Sequence, residues 1–171
     1  MKIIKSVSEV VSYITEQQVG QKKICLIPTM GNLHDGHSEL INSSPINSLR
    51  VVTIYINQLQ FDDPNDYINY PKNTESDLEL CIKNNVDLIF MPDENFMTDL
   101  SDNRIIDLPK FTKYMCGATR KGHFLGVYKI VRVLFDMFNP HYACFGKKDY
   151  QQLLLIRYIA KTYFKNLKIV E

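Results

Sequence analysis

The stretch "KICLIPTMGNLHDGH", residues 23–37, joins an apolar run to a turn that holds two glycines and two histidines. The run "KICLI" (23–27) predicts a strand covered on both faces, because such strands read as nearly continuous apolar sequence. Pro28 lacks a backbone donor and is expected to end this strand. Gly31 and Gly36 permit a tight turn and a close approach of the backbone to a ligand. A helix that starts after this turn would present free backbone N–H groups, which favour a phosphate.

The rest of the chain alternates between strand-like and helix-like segments. The helix-like segments have apolar residues at helical spacing. One segment begins with a capping box at Ser6 and Glu9, and another begins at Thr74, where early acids suit a helix N-terminus. Such alternation predicts an α/β fold with a parallel, doubly wound, Rossmann-like sheet. We expect one domain over residues 1–171, with a loop-rich excursion at 93–121. The further strand candidates are "RVVTIYI" (50–56), "VDLIFM" (86–91), "YACFG" (142–146) and "LKIV" (167–170).

Composition and charge exclude several classes of protein. The chain has 20 basic and 19 acidic residues and a net charge of +1, so no global field attracts it to nucleic acid or to an anionic membrane. No apolar run approaches the roughly 20 residues that span a bilayer, and the start does not resemble a signal peptide. The four cysteines include no C-x-x-C pair, and Cys25 and Cys144 lie in apolar runs, as buried free thiols do. We therefore expect a cytoplasmic protein.

Three polar motifs follow predicted strands. "PTMGNLHDGH" follows the first candidate, "NQLQFDDP" the second and "GKKDYQQ" the fourth. In open parallel sheets, ligands bind outside the carboxyl ends of the strands, where the strand order reverses. The three motifs are therefore expected to meet in one site.

His34 and His37 are three residues apart and would share one face at the start of a helix. As imidazoles beside a helix N-terminus, they suit the stabilisation of developing phosphate charge. The same pair is compatible with a metal site, although no third histidine or nearby cysteine completes a metal shell. Either histidine is also compatible with a purely structural helix cap. Short motifs of this kind do not decide among these alternatives by themselves.

Four motifs taken together resemble one enzyme family. "PTMGNLHDGH", "QFDDPNDYINYP", "RKGHFLGV" and "FGKKDYQQLLLIR" stand in the order found in the pantothenate synthetase (pantoate–β-alanine ligase) family. That family belongs to the H-x-G-H nucleotidyltransferases, which are relatives of class I aminoacyl-tRNA synthetases. The resemblance runs over nearly the whole chain.

The resemblance implies a two-step, ATP-dependent reaction. ATP and the carboxylate of pantoate give pantoyl adenylate and pyrophosphate, and β-alanine then attacks the mixed anhydride to give pantothenate and AMP. The resemblance further implies that the enzyme uses Mg²⁺ and forms a homodimer. Its partners would be small-molecule substrates, and neither nucleic acid nor a membrane. Attack of a carboxylate on the α-phosphate is an in-line displacement, in which positioning and charge stabilisation supply most of the catalysis.

The resemblance also assigns roles to individual residues. His37 is expected to be the catalytic proton donor, with His34 on the phosphates, and Gln60 and Gln152 are expected to bind pantoate. Asp77 corresponds to an acid associated with Mg²⁺. The region of β-alanine and phosphate would include Asn57, Tyr70, Arg120 and His123. The ATP site would comprise Met30, Gly31, Asn32, Leu33, His34, Asp35, Gly36 and His37, together with Gly146, Lys147, Lys148 and Asp149.

The chain departs from the family pattern at three places. Gln58 stands where the family usually has proline, and Lys147 where it commonly has an acid. The small C-terminal lid domain of the family is not found in residues 1–171, which predicts weak ATP binding and little adenylation by these residues alone. Two rivals therefore stand beside a ligase: an H-x-G-H adenylyltransferase of the phosphopantetheine or nicotinamide mononucleotide type, and a non-catalytic nucleotide-binding fragment.

Overall fold

A computed structural model describes residues 1–99 and 106–171, and six strands in them form one parallel sheet. The strand order is β1-β4-β3-β2-β5-β6, so successive connections run outward in both directions from β2. The predicted doubly wound α/β fold is therefore confirmed. The strands are β1 (Lys2–Ile4), β2 (Ile24–Thr29), β3 (Leu49–Ile54), β4 (Leu88–Phe90), β5 (Tyr142–Cys144) and β6 (Lys168–Val170).

Eight helices and three short 3₁₀ turns connect these strands in the described part of the chain. The 3₁₀ turns are Gln58–Gln60, Lys110–Lys113 and Lys147–Asp149. None of the helices found there is both long and apolar enough to cross a membrane. The helices are α1 (Val7–Val19), α2 (Asp35–Asn42), α3 (Pro64–Ile68), α4 (Thr74–Lys83), α5 (Phe96–Asp99), α6 (Cys116–Thr119), α7 (His123–Phe138) and α8 (Tyr150–Tyr163).

Apolar residues cover both faces of the sheet, as the continuous apolar runs predict. In β2, Ile24 and Leu26 face a core formed with α1, α7 and α8, whereas Cys25 and Ile27 face a second core with α2 and α4. All four of these side chains are fully buried. Burial of each such side chain stabilises the fold by about 1.5–3 kcal/mol, so both helical layers are held against the central strand.

Two details of the sheet differ from the sequence prediction. The edge strand β1, which pairs with β4, is absent from the prediction because its two apolar residues stand between Lys2 and Lys5, whereas the equally short β4 and β5 lie within longer apolar segments. The prediction that Pro28 ends its strand is wrong, since β2 continues to Thr29 and Pro28 pairs with Thr53. The proline is tolerated because β5 pairs with β2 only as far as Leu26, so no neighbour on that side requires the missing N–H.

Other local predictions hold fully or in part in the described residues. Only one half of the predicted capping box is present in α1: Ser6 accepts the Glu9 N–H, whereas the Glu9 carboxylate pairs with Lys2. Helix α4 is capped by Asn73, one residue before the predicted start. The excursion at 93–121 contains only short helical turns where it is described, and its residues 100–105 lie outside the described residues. Cys25 and Cys144 are buried free thiols.

The reversal of strand order lies between β2 and β5. From β2 the chain proceeds through β3 and β4 on one side and through β5 and β6 on the other. A crevice outside the carboxyl ends of these strands is where parallel sheets of this kind bind ligands. The turns after β2, β3 and β5 therefore define the candidate site.

Candidate functional site

The turn after β2 brings the two histidines together at the start of α2. His34 is the N-cap, and its Nδ1 accepts the Gly36 N–H at 3.1 Å. His37 Nδ1 accepts the His34 N–H at 3.2 Å, and the two rings lie 4.2 Å apart. The pair therefore forms a reciprocal cap, which shows that the two histidines have at least a structural role at the start of α2.

The cap determines which nitrogen of each ring carries a proton. Because Nδ1 accepts a backbone N–H in both rings, the neutral imidazoles of His34 and His37 carry their proton on Nε2. An Nε2–H directed away from the helix backbone is a donor for a phosphoryl oxygen. Burial lowers the pKa of His37, and the charge of His34 lowers it further. Asp77 raises this pKa, and Lys148 lowers it. The capping role is therefore compatible with phosphate binding.

Glycines are required where this turn is tightest. Gly31 has φ +82°, and a Cβ there would lie 2.9 Å from Asp77 Oδ2. A Cβ on Gly36 would lie 2.9 Å from Cε1 of the capping His34. Side chains at these two positions would displace the groups that hold the turn, so the turn depends on both glycines.

Asp77 fixes the same turn from α4. Its carboxylate accepts the Asn32 N–H at 3.0 Å and the Leu33 N–H at 2.6 Å, and the residue is only 2% exposed. Among the described residues, no three His, Cys, Asp or Glu side chains are arranged to hold a metal. The role of Asp77 as a Mg²⁺ ligand stays a prediction, and its observed contacts are those of a backbone anchor.

The turn after β3 buries two amide side chains against α7. Asn57 Nδ2 donates to the Gly126 carbonyl at 3.0 Å, and the Gln60 amide contacts Met30 Sδ at the end of β2. Asn57 Oδ1 is buried and has no hydrogen-bond partner among the described residues. A buried acceptor left without a donor is costly, so this oxygen suits a bound water or a donor group of a ligand.

Arg120 and His123 lie beside Gln60. His123 Nδ1 donates to the Gln60 carbonyl at 2.8 Å, and Arg120 Nη1 donates to His123 Nε2 at 3.4 Å. Arg120 also pairs with Asp62 at 3.6 Å. The two basic residues therefore both lie at the Gln60 turn, where the buried His123 holds the backbone; their predicted role near β-alanine and phosphate stays a prediction.

These contacts predict that acid destabilises the fold through His123. Burial is the largest effect and lowers the pKa of His123. The hydrogen bond to the Gln60 carbonyl raises this pKa, Arg120 lowers it, and Asp62 and Asp149 raise it. Since the unfolded chain binds the proton more readily, the free energy of unfolding falls as the pH drops from about 7 to 5. Thermal unfolding across this range should show a shallower pH dependence for His123→Gln than for the unsubstituted chain. An equal pH dependence of thermal unfolding in the two proteins would show that His123 does not contribute to the loss of stability in acid.

The turn after β5 carries the second predicted ATP segment. Gly146, Lys147, Lys148 and Asp149 are exposed there, immediately before α8. Lys148 lies close enough to His37 for its charge to lower the pKa of that histidine. The ends of β2 and β5 therefore present two histidines and a lysine to one region, a suitable arrangement for a polyphosphate.

The two glutamines at the start of α8 have different environments. Gln151 donates to the carbonyls of Phe111 and Tyr114 at 2.9 and 2.7 Å and accepts the Cys116 N–H at 3.1 Å. Gln152 is half-buried, and its side-chain amide takes part in none of the hydrogen bonds found among the described residues. Gln151 thus holds the 110–116 segment, whereas the binding of pantoate by Gln152 stays a prediction.

A cleft of about 190 Å³ opens beside the Gly31 turn. Its walls include Met30 and Tyr55, which directly follow β2 and β3, together with Tyr67 near the end of α3 and Lys72 just before α4. This volume is below the roughly 300–1,000 Å³ typical of pockets for drug-sized ligands, so the cleft suits a smaller molecule. Tyr70 lies nearby, where burial raises its pKa and Asp77 raises it further.

Some roles carry no sequence signal. That Asp77 anchors a turn 45 residues away and that His123 holds the Gln60 backbone depend on contacts between distant segments. Gln151 and Gln152 are adjacent and identical in type, so only their geometry separates them. Gly126 marks the close approach of α7 to the turn after β3, and a lone helical glycine gives at most a weak indication of this.

Comparison with known proteins identifies close relatives. A family model described as pantoate-beta-alanine ligase matches residues 2–171. A pantothenate synthetase of Leptospira biflexa is 40% identical over 99% of this chain and 61% of its own length. One from Buchnera aphidicola subsp. Schizaphis graminum is 42% identical, again over 99% of this chain and 61% of its own length. The chain therefore spans about three fifths of the length of these relatives.

Solved structures show the same similarity. A pantoate-beta-alanine ligase from Francisella tularensis, complexed with beta-gamma ATP and β-alanine, superposes with a TM-score of 0.92 at 34% identity. The match covers 99% of this chain and 66% of that one. A pantothenate synthetase from Thermus thermophilus has a TM-score of 0.89 at 32% identity, with 99% of this chain and 60% of that one covered.

Proposed function

The chain belongs to the pantoate-beta-alanine ligase family, and on that basis we propose that its protein condenses pantoate with β-alanine at the expense of ATP. In the first step a carboxylate oxygen of pantoate attacks the α-phosphorus of ATP, and pyrophosphate leaves. In the second step the β-alanine amine attacks the acyl carbon of pantoyl adenylate, and AMP leaves with the acyl C–O bond broken. The amine loses its proton and pantothenate is formed.

One observation carries the proposal: phosphate donors and amide side chains converge at the carboxyl ends of neighbouring strands. Because Nδ1 of both His34 and His37 accepts a backbone N–H, their Nε2–H groups are left as donors, and Lys148 is close enough for its charge to lower the pKa of His37. Donors that are already oriented stabilise charge as it develops on phosphoryl oxygens, without reorganising during the reaction. These groups suit the α-phosphate and the departing pyrophosphate.

The amide side chains support a hydroxy acid as the second substrate. Gln60 and Gln152 offer both donors and acceptors, which suit the hydroxyls and the carboxylate of pantoate. Asn57 Oδ1, buried without a partner among the described residues, is an acceptor for a hydroxyl or an ammonium group. Neutral groups of this kind bind an acid without adding negative charge beside the triphosphate. Tyr70, Arg120 and His123 complete the proposed β-alanine side.

Three further parts of the proposal rest on the family. Mg²⁺ would accompany the triphosphate of ATP and neutralise part of its charge. The protein would act as a homodimer in the cytoplasm. ATP is proposed to contact the exposed residues Gly146, Lys147 and Asp149 together with Lys148. The opposite side of the ATP site would be lined by Asn32 and Leu33, in the turn before α2, and by Asp35, the first residue of α2.

Binding to the 171-residue chain tests the proposal against its adenylyltransferase rival. Pantoate should raise the melting temperature, whereas phosphopantetheine and nicotinamide mononucleotide should not, because these phosphate esters do not match the paired glutamines. Gln152→Ala should weaken pantoate binding about tenfold or more, the cost of about 1–3 kcal/mol for an unpaired buried partner, and leave ATP binding nearly unchanged. Gln151→Ala should instead lower stability, since Gln151 holds the 110–116 segment.

The opposite pattern would count against a ligase. Stabilisation by a phosphate ester and not by pantoate would favour an adenylyltransferase. Stabilisation by ATP alone would favour a non-catalytic nucleotide-binding module. Equal loss of pantoate and ATP binding in Gln152→Ala would contradict the assignment of that residue.

A further inference from the structure

Asp77 is a buried carboxylate in the middle of the candidate site. The residue is 2% exposed, and its oxygens accept the backbone N–H groups of Asn32 and Leu33 at 3.0 and 2.6 Å. Burying a charge without partners is strongly unfavourable, so these two charge-assisted bonds are what allow the carboxylate to stay there. Asp77 lies near the N-terminus of α4, where the helix dipole also favours a negative charge.

The backbone that Asp77 holds is conformationally unusual. Gly31 has φ +82° and Asn32 has φ +51°, so two successive residues adopt the left-handed region. For a residue other than glycine this conformation carries a cost and persists only where the surroundings hold it. The carboxylate contacts the N–H groups immediately after the Gly31 peptide, and these lead directly into the His34 cap.

We propose that Asp77 is a positioning residue that sets the turn carrying His34 and His37, and that it does not bind Mg²⁺. The inference rests on the proposed function only in assigning the two histidines to phosphate. The carboxylate orients the backbone of residues 32 and 33, and that backbone places His34 at the N-cap, where it meets His37.

The observed contacts fit this role better than metal binding. Mg²⁺ demands near-ideal octahedral geometry and retains several waters, which requires room around its protein ligand. Asp77 lines the cleft beside the Gly31 turn but is only 2% exposed, and each of its oxygens already accepts a backbone N–H. Within the described ranges 1–99 and 106–171, Asp77 belongs to no group of three or more His, Cys, Asp or Glu side chains that could hold a metal.

Asp77→Asn tests the proposal, with Glu75→Gln as the matched control. Both changes remove one negative charge from the first turns of α4, but Glu75 is exposed. The two N–H groups use different oxygens of Asp77, and asparagine replaces one of these oxygens with an NH₂ donor, so in this geometry one N–H loses its acceptor. We expect amide hydrogen exchange at Asn32 and Leu33 to be about tenfold or more faster in Asp77→Asn, which corresponds to losing one hydrogen bond. Glu75→Gln should leave it unchanged.

ATP binding with Mg²⁺ and with EDTA distinguishes an anchor from a metal ligand. We expect Asp77→Asn to raise the Kd for ATP by the same factor in both conditions, because displaced histidines affect ATP with or without the metal. Unchanged ATP affinity in EDTA together with a lost Mg²⁺ effect would overturn the proposal, as would unchanged exchange at residues 32 and 33. If the unsubstituted chain binds no ATP in either condition, the proposed function fails, while the exchange measurement still decides the role of Asp77.

A measurement on the unsubstituted chain covers the case in which Asp77→Asn does not fold. Paramagnetic Mn²⁺ broadens NMR signals of groups close to its binding site. We expect no selective broadening of the Asn32 and Leu33 amide signals when Mn²⁺ is added without nucleotide. Selective broadening at these two amides would place a metal on Asp77 and contradict the proposal.

Discussion

Replacing His37 with alanine in the full-length protein should reduce the rate of pantoyl-adenylate formation by about 10²–10³, the effect of removing one preorganised donor from a site of developing charge. His37 Nδ1 is engaged by the His34 N–H at 3.2 Å, so its Nε2–H is the donor available to a phosphoryl oxygen. Single-turnover measurement of adenylate from ATP and pantoate reports this step. Pantoate affinity should change little, because the pantoate residues lie at other strand ends.

Two variants separate the catalytic effect from the loss of the helix cap. His37→Asn keeps a side-chain oxygen that can accept the His34 N–H, so it should recover stability but not the rate. Glu39→Ala changes an exposed residue of the same helix and should leave both unchanged. A normal rate in His37→Asn would show that His37 acts only as a cap.

Replacing Gly126 with alanine should reduce pantoate-dependent activity by about 10²-fold, although Gly126 contacts no substrate in the proposed site. A Cβ at this position would lie 2.3 Å from the Leu59 carbonyl oxygen and 2.5 Å from the Gln60 backbone nitrogen. Backbone atoms cannot rotate away, so α7 or the turn after β3 must shift. The shift would displace Gln60 and also the Gly126 carbonyl that accepts a hydrogen bond from Asn57.

The same change should lower the free energy of unfolding by about 1–3 kcal/mol, as overpacking of a buried contact does. Urea unfolding measures this loss, and the KM for pantoate measures the displacement of Gln60. Leu125→Ala is the control, because Leu125 is the neighbouring residue of α7 and is exposed. Normal pantoate KM in Gly126→Ala would show that the packing of α7 does not position Gln60.

The sequence predicts most of the fold because its long signals are periodic. Five strands have apolar runs, and helices α7 and α8 have apolar residues at helical spacing. The edge strand Lys2–Ile4 is not predicted because only Ile3 and Ile4 are apolar and lysines flank them, so no apolar segment marks the strand. The prediction for Pro28 fails because the effect of a proline depends on which neighbour would have used the absent N–H, and that depends on where β5 stops pairing.

The candidate site is predictable in its location but not in its contacts. Motifs after β2, β3 and β5 can be assigned to one edge of the sheet because parallel strands place their carboxyl ends together. The anchoring role of Asp77, the backbone contact of His123 and the engagement of Gln151 arise from side chains that meet across distant segments. A local pattern does not contain such information.

We propose that the site at the ends of β2, β3 and β5 activates pantoate as an adenylate. Pantoate-dependent exchange of labelled pyrophosphate into ATP by the full-length protein reports this first step alone. We expect exchange that requires pantoate, proceeds without β-alanine and falls about 10²–10³-fold in His37→Ala. Exchange that phosphopantetheine or nicotinamide mononucleotide supports and pantoate does not would contradict it.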